Sequence, residues 1–367
     1  MRTTVDQLAR EYVERGHQVL VLIPDQVGAC DEIAGVIKIR LKSPLLPLSG
    51  GYRIIVNLKR VLSILRDFVP EVIEISDRTT LLLIAPWARR RGIKVSLFAH
   101  ERLSDALIAF IPSVFVSHAI VVRIVTAWNA WCAQNVDKII ATTRFASREF
   151  PDSLNKEVIA LGVDHSVFHP RQASEIVKDL PGEGYLLACT RLSPEKDPRL
   201  LLEIARELSR RGSKLSLIII GAGPMMDVLS EEVIREELAI SFVGFLNQKE
   251  VLAHYMRDAS IFLAPGPIET FGLAALEAMA CGTPVICRDS AAIAEIIDSN
   301  SGVALSRDAT SWVDAIEELL SHDRKELAKA CLARASGFTW SVTASALLES
   351  HQRLLSGLDQ EFVESRT

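Results

Sequence analysis

The sequence predicts an α/β protein built from two doubly wound, Rossmann-like domains. Three observations carry this. Short β-branched runs alternate with amphipathic helical patterns from one end of the chain to the other. The runs are mostly apolar along their whole length rather than alternating, as strands of a parallel sheet covered on both faces must be. The chain has 367 residues, more than one ordinary core holds, and a polar stretch rich in Pro and Gly divides the runs into two series.

In the first series the expected strands are 18–23, 36–41, 72–75, 94–100, 138–142 and 158–161. In the second they are 185–190, 215–220, 240–245, 261–264, 284–287 and 302–305. The division is expected between Phe168-His-Pro-Arg171 and Pro181-Gly-Glu-Gly184. This gives a first domain over 1–170, a second over 171–340, and a closing helix with a polar tail over 341–367 that packs back on the first domain. Ligands of such sheets lie outside the carboxyl ends of the strands, so with two domains the expected site is the cleft between them.

Hydrophobic residues make up 49% of the chain and charged residues 24%, which excludes a disordered chain. Cys30, Cys132, Cys189, Cys281, Cys287 and Cys331 are scattered, with no Cys-x-x-Cys pair. They read as reduced, buried thiols of a cytosolic protein rather than a disulfide framework or a zinc site. No apolar stretch of signal-peptide type follows Met1. Residues 1–168 carry a net charge of +4 and the remainder −9, so the front half is expected to face an anionic partner. Between Ala106 and Cys132 the sole charged side chain is Arg123, and the run includes Phe110, Phe115, Trp128 and Trp131. It reads either as a buried helix pair or as a helix lying on a membrane surface or lipid tail. Pro112, Ser117, His118 and Asn129 argue against a span.

The most informative stretch is Gly266-Pro-Ile-Glu-Thr-Phe-Gly-Leu-Ala-Ala-Leu-Glu-Ala-Met-Ala-Cys-Gly-Thr-Pro284. A helix opening on its Gly-rich turn offers unpaired N–H groups and a positive dipole end to a phosphate. Glu277, expected two turns beyond Glu269 on the same face, is placed to accept bonds from hydroxyls of whatever carries that phosphate. Phosphate and hydroxyls together read as a sugar nucleotide. Arg191 and Lys196, in Thr190-Arg-Leu-Ser-Pro-Glu-Lys196, stand at the carboxyl end of the second domain's first strand. There a guanidinium fork and an ammonium suit a diphosphate. His100 ends an apolar strand of the first domain and is expected to point into the cleft. Ile220-Gly-Ala-Gly-Pro224 is similar to a dinucleotide fingerprint, but Met226 stands where close helix packing needs a small residue. The glycines therefore read as a tight turn. The sequence holds no Asp-x-Asp pair and no His/Asp cluster of metal spacing, which argues against a tightly bound metal cofactor. A loosely held divalent cation stays compatible.

Arg191 with Lys196, and Glu269-x7-Glu277 with its Phe271-Gly272-Leu273 turn, resemble the family 4 retaining glycosyltransferases of the two-Rossmann, GT-B type. Gly162-Val-Asp164, Phe168-His-Pro170 and Phe338-Thr-Trp340 extend the resemblance over nearly the whole chain. Gly50-Gly-Tyr52, Glu74-Ile-Ser-Asp-Arg78, His100-Glu-Arg-Leu103 and Ala264-Pro-Gly-Pro-Ile-Glu-Thr-Phe271 narrow it. They resemble actinobacterial GDP-mannose-dependent mannosyltransferases acting on phosphatidylinositol mannosides. The resemblance implies that Arg191 and Lys196 hold the donor diphosphate, with the N–H groups of Phe271, Gly272 and Leu273 at the same phosphates. It places Glu277 at the ribose, Glu269 at the transferred sugar, His100 at that sugar from the other domain, and Val243 beside the base. The implied partners are a nucleotide-diphospho-sugar donor, a lipid or glycolipid acceptor and the inner face of the cell membrane, and not a nucleic acid. Two rivals share these features: a sugar-nucleotide epimerase of the same fold, and a shortened chain that binds nucleotide or lipid without turnover. The resemblance also implies a strand and Gly-Gly loop ahead of Met1-Arg-Thr-Thr-Val-Asp6. Their lack would expose a central sheet edge, and the expected start lies roughly 15 to 20 residues upstream.

Overall fold

The computed structural model describes residues 2–45, 53–99, 118–151, 155–171 and 184–358. They form two compact units. One takes Met1–Gly162 together with Trp340–Thr367, and the other takes Val163–Thr339.

In the first unit, α1 (Arg2–Glu14) spaces Val5, Leu8, Ala9 and Val13 at helical intervals, and Val5, Ala9 and Val13 pack against Val21 and Val36. Two sheets follow. In one, β1 (Val19–Asp25) pairs in parallel with β3 (Val36–Lys42), and β2 (Ala29–Ile33) adds antiparallel to β3. The other is parallel throughout, in the order β4 (Val72–Ile75), β5 (Lys94–Ala99), β6 (Lys138–Ala141), β7 (Lys156–Val158). Among the described residues β1 pairs with β3 alone and β4 with β5 alone, so each keeps an open edge. Leu20, Leu22 and Ile39 nonetheless pack into the same apolar cluster as Ile73, Ile75, Val95 and Leu97. Two strand expectations differ. Strand β2, exposed and carrying Asp31 and Glu32, lacks a continuous apolar run. Strand β7 lies two to three residues earlier than the apolar run 158–161, because its Lys156 and Glu157 are held by polar partners.

Helix α2 (Leu58–Phe68) starts where the Asn57 side chain accepts from the Arg60 N–H, and stops at Val69 with φ 52° before Pro70. The short α3 (Ala85–Arg89) precedes β5. Helix α4 (His118–Asn135) buries Val125, Asn129, Cys132 and Ala133, and Trp128 stacks on Trp131 at 5.0 Å. Its first half leaves Ile120, Val122 and Ile124 exposed. Among the described residues no helix is long and apolar enough to cross a membrane. The one-turn α5 (Arg144–Ser147) follows β6, capped by the Thr143 hydroxyl.

In the second unit the six strands β8 (Leu186–Cys189), β9 (Leu217–Ile220), β10 (Ile240–Gly244), β11 (Ile261–Ala264), β12 (Val285–Arg288) and β13 (Gly302–Leu305) are all parallel. Their order is β10-β9-β8-β11-β12-β13. Around them lie α6 (Arg199–Arg210), α7 (Met226–Arg235), α8 (Lys249–Asp258), α9 (Leu273–Ala280), α10 (Ala309–Ser321) and α11 (Arg324–Ala335). Leu200, Leu201, Ile204 and Leu208 of α6 meet Trp312, Val313 and Ile316 of α10 over the sheet residues Leu186, Ile219 and Ile286. The winding reverses between β8 and β11, the point at which such sheets bind ligands.

Helix α12 (Trp340–Ser356) belongs to the first unit, where it buries Trp340, Ala344, Leu347 and Leu354 together with the polar Thr343, Ser350 and His351. His351 sits 3.3 Å from Glu74 on β4 and 3.3 Å from Ser96 on β5, and the Tyr12 hydroxyl donates to Glu74 at 2.6 Å. Glu157 accepts from Lys138 at 3.2 Å, Ser350 at 2.7 Å and Arg353 at 2.7 Å. Burial lowers the His351 pKa against the pull of Glu74, so its ring stays neutral in this polar seam. Of the cysteines expected to be buried, Cys30 is instead exposed on β2, and Cys189 is only partly covered.

Candidate active site

The carboxyl ends of β8 and β11 face each other across the reversal of the second sheet. Strand β8 delivers the loop Thr190–Ser193 and a single 3-10 turn, Pro194–Lys196. Strand β11 delivers Pro265–Gly272 and the start of α9. This topology brings two residues 73 positions apart into contact: Lys196 Nζ donates to Glu269 Oε1 at 2.6 Å. Gly266 lies between them. A Cβ added there would rest 3.5 Å from Lys196 Cδ and 3.6 Å from Glu269 Cγ. The Glu269 carbonyl accepts from the Ala292 N–H at 2.9 Å, which ties this loop to the one after β12.

Glycine is required at 272. Its φ is +87°, and a Cβ would fall 2.1 Å from Ile293 Cγ1. The left-handed turn ends the loop and opens α9 one residue later. Leu273 and Ala274 therefore stand at the helix start, where N–H groups have no acceptor within the helix, while the Ala275 N–H already donates to the Gly272 carbonyl at 3.0 Å. Phe271 is buried edge-on against Phe338, at 6.5 Å between ring centroids. One expectation changes here. Glu269 lies in the turn before Gly272, not on the helix, so it does not share a helix face with Glu277.

Glu277 is the fifth residue of α9 and is partly buried. Burial pushes its carboxyl up to about 8; the Asp164 charge adds to this and Lys249 opposes it. The same carboxyl helps raise the thiols of Cys189 and Cys281, after burial, and so stands close to the end of β8.

Arg191 is exposed on the β8 loop. That loop rests on the one after β9. Thr190 N–H donates to the Ile220 carbonyl at 3.0 Å, Leu192 N–H to Ala222 at 3.1 Å, and Met225 N–H to Leu192 at 2.9 Å. A Cβ at Gly221 would lie 1.9 Å from the Thr190 oxygen, and one at Gly223 2.3 Å from the Leu192 oxygen. The fingerprint-like glycines thus do more than turn the chain: they let two backbones touch beneath Arg191. Gly221 N–H also donates to the Gly244 carbonyl at 2.8 Å, which sets Val243 beside the same loop.

Arg191, Lys196, Val243, Glu269, Phe271, Gly272 and Leu273 thus stand on loops and element ends at one edge of one sheet, with Glu277 one turn into α9. His100 lies outside the described residues. Sequence reasoning missed Asp164 beside Glu277, and Asp197, Arg288 and Arg307 behind Lys196. The signal for the two arginines was present: each sits at or just past the carboxyl end of an apolar strand, the ligand edge.

A 3-2-1-4-5-6 parallel sheet with a cation, carboxylates and a helix start at its reversal is a nucleotide-binding doubly wound domain. The comparisons with known proteins make this specific. The family "Glycosyl transferases group 1" matches residues 170–336, and "Glycosyl transferase 4-like domain" matches residues 1–158. Over 357 residues the chain is 33% identical to the GDP-mannose-dependent alpha-(1-6)-phosphatidylinositol dimannoside mannosyltransferase of Mycobacterium tuberculosis, covering 95% of this chain and 91% of that one. It is 36% identical over 220 residues to the D-inositol 3-phosphate glycosyltransferase of Frankia alni, covering 54% and 53%. Two solved structures share the fold at low identity. Sucrose-phosphate synthase of Thermosynechococcus elongatus matches with TM-score 0.73 and 20% identity, over 96% of this chain and 93% of that one. HepE of Anabaena, solved with UDP and glucose, matches with TM-score 0.67 and 15% identity, over 95% and 94%. The chain belongs to the family 4 retaining glycosyltransferases of the GT-B fold. It is an enzyme, a hexosyltransferase.

Proposed function

We propose that this enzyme transfers mannose from GDP-mannose, with retention, to a lipid-linked acceptor of the phosphatidylinositol mannoside class. The observation that carries the reading is the convergence of Lys196, Glu269 and the start of α9 at the reversal of the second sheet. The near full-length likeness to the mycobacterial mannosyltransferase supports the choice of donor and acceptor.

In this reading Arg191, Lys196 and the N–H groups of Phe271, Gly272 and Leu273 bind the donor diphosphate. Glu277 binds the ribose hydroxyls, Val243 lies beside the base, and Glu269 binds hydroxyls of the transferred sugar. The family resemblance assigns His100, outside the described residues, to the same sugar. A retaining mechanism through a covalent intermediate needs two carboxyls about 5 Å apart flanking the bond. Glu277 is held neutral by burial, and Glu269 is assigned here to hydroxyls of the transferred sugar, so neither is given that route. Front-face attack fits better. The acceptor hydroxyl adds to the anomeric carbon on the face the diphosphate leaves, and its proton passes to the departing phosphate oxygen. The cations and α9 absorb the charge that grows there, each donor worth roughly 2.7 to 4 kcal/mol by analogy with oxyanion-hole donors. These groups supply that role without a tightly bound metal, and a loosely held divalent cation is compatible with it.

The exposed Ile120, Val122 and Ile124 of α4 support peripheral contact with the inner face of the cell membrane. The test is incubation of the full chain with radiolabelled GDP-mannose and membranes containing phosphatidylinositol mannosides. A labelled lipid whose new mannose is α-linked is expected. A free epimerised sugar nucleotide, or label only from UDP-sugars, would refute the proposal.

A further inference from the structure

The turn that carries Lys196 is closed by Asp197, a non-glycine residue in the left-handed conformation (φ 46°, ψ 51°). Side chains disfavour this conformation, and Asp tolerates it better than most. Its carboxylate is gripped from two other elements. Arg307, just past β13, donates to it through Nε at 2.7 Å and Nη2 at 3.2 Å. Arg288, the last residue of β12, donates through Nη1 at 3.3 Å. Arg307 also forks onto Glu203 of α6 at 2.8 and 2.9 Å, bracing both sides of the turn. The side chains of Arg288 and Asp197 are 12% and 17% exposed and that of Arg307 is 41% exposed, so the grip is shielded from water on the Arg288 side and open on the Arg307 side.

We propose that Arg307, with Arg288, is a positioning residue for glycosyl transfer: it acts through Asp197 to fix the turn that presents Lys196 to the departing diphosphate. This rests on the role given to Lys196 above. The lysine stem is long and flexible, so its backbone origin decides how well the ammonium meets a small target. Misplacement by about 1 Å can cost on the order of 100-fold in rate.

The experiment is a double-mutant cycle on kcat at saturating GDP-mannose, using the full chain and the membrane acceptor, with thermal unfolding of each variant alongside. Arg307→Ala is expected to lower kcat about tenfold in the wild-type background and less than about twofold in the Lys196→Ala background. Arg307→Lys, which keeps the charge and loses the fork, should recover part of the loss. Equal losses in both backgrounds would mean a structural role only and would overturn the proposal, as would unchanged kcat in Arg307→Ala. If Lys196→Ala keeps wild-type turnover, the site reading falls and the clamp with it. A loss in Lys196→Ala without one in Arg307→Ala sinks the clamp alone. Should Arg307→Ala fail to fold, Asp197→Asn removes the gripped charge at constant volume and enters the same cycle with the same outcomes.

Discussion

The partly buried carboxyl of Glu277 should make donor binding depend on pH. With its pKa at about 8, roughly one molecule in ten carries the ionised form at pH 7 and about one in a hundred at pH 6. An ionised carboxylate accepts from both ribose hydroxyls, whereas the protonated form gives up part of that capacity. If only the ionised form binds, apparent affinity scales with its population. It should then rise about 50-fold from pH 6 to pH 8 and level off above. The assay is isothermal titration with intact GDP-mannose, because its diphosphate is esterified at both ends and does not titrate in this range. Glu277→Gln should bind weakly at every pH and show no slope. Stability carries the opposite sign. A carboxyl with a folded-state pKa of about 8 against 4.5 when exposed holds an extra proton in the folded state between those values. Stability therefore falls as pH rises from about 4.5 to about 8, by a ceiling of about 5 kcal/mol, and is flat beyond. Flat donor affinity from pH 6 to 8, or the same slope surviving in Glu277→Gln, would refute the reasoning.

Lys196→Ala should lower turnover about 100-fold or more at saturating donor, the loss of one donor to the leaving group; wild-type turnover would remove the lysine from the mechanism. Gly221→Ala should lower the melting temperature and weaken donor binding together. Its Cβ would stand 1.9 Å from the Thr190 oxygen at φ +139°, and an unchanged protein by both measures would contradict that contact. Vesicle flotation should show preference for anionic over neutral lipid. Of the basic residues near α3, Arg89 bonds the Gln134 carbonyl, Arg91 covers Trp87 at 4.5 Å, and Lys94 lies 3.9 Å from Asp137. Arg90 is thus the strongest candidate, worth about 1 kcal/mol at such a surface. Arg90→Glu should cut vesicle binding several-fold, and equal flotation on both lipids would discard the membrane contact.

The second sheet was legible in the sequence because each of its strands is a short, nearly continuous apolar run, four of them buried along most of their length. Strand β2 was not, since an exposed antiparallel strand carrying Asp31 and Glu32 has no apolar signature. Strand β7 was misplaced because its inward surface is ionic: Glu157 earns burial by meeting Lys138, Ser350 and Arg353, partners up to 196 positions away. At the site, a cation after β8 and a Gly-rich helix start after β11 could be read from the rule that ligands lie at strand carboxyl ends. The pairing of Lys196 with Glu269 could not, because it depends on which strands are neighbours. The same holds for Asp197, whose partners are 91 and 110 positions away.

At rest Lys196 and Glu277 are each compensated by something a donor could replace. Lys196 is paired with Glu269, Glu277 holds a proton, and the first N–H groups of α9 lack acceptors within the helix. A sugar nucleotide answers each in turn. In the proposed reading its diphosphate would compete with Glu269 for Lys196 and seat on the α9 amides, and its ribose hydroxyls would offer Glu277 the bonds that make ionisation tolerable in a partly covered position. Glu269, if released from the lysine in this way, would then accept from the sugar. An ion pair at this exposure contributes only about 0 to 1 kcal/mol, so breaking it costs little against a doubly charged ligand. A bare nucleoside would satisfy Glu277 but leave the Lys196–Glu269 pair closed, and a bare sugar would find Glu269 occupied. On the proposed reading the resting compensation would therefore favour a molecule that carries diphosphate, ribose and hexose together.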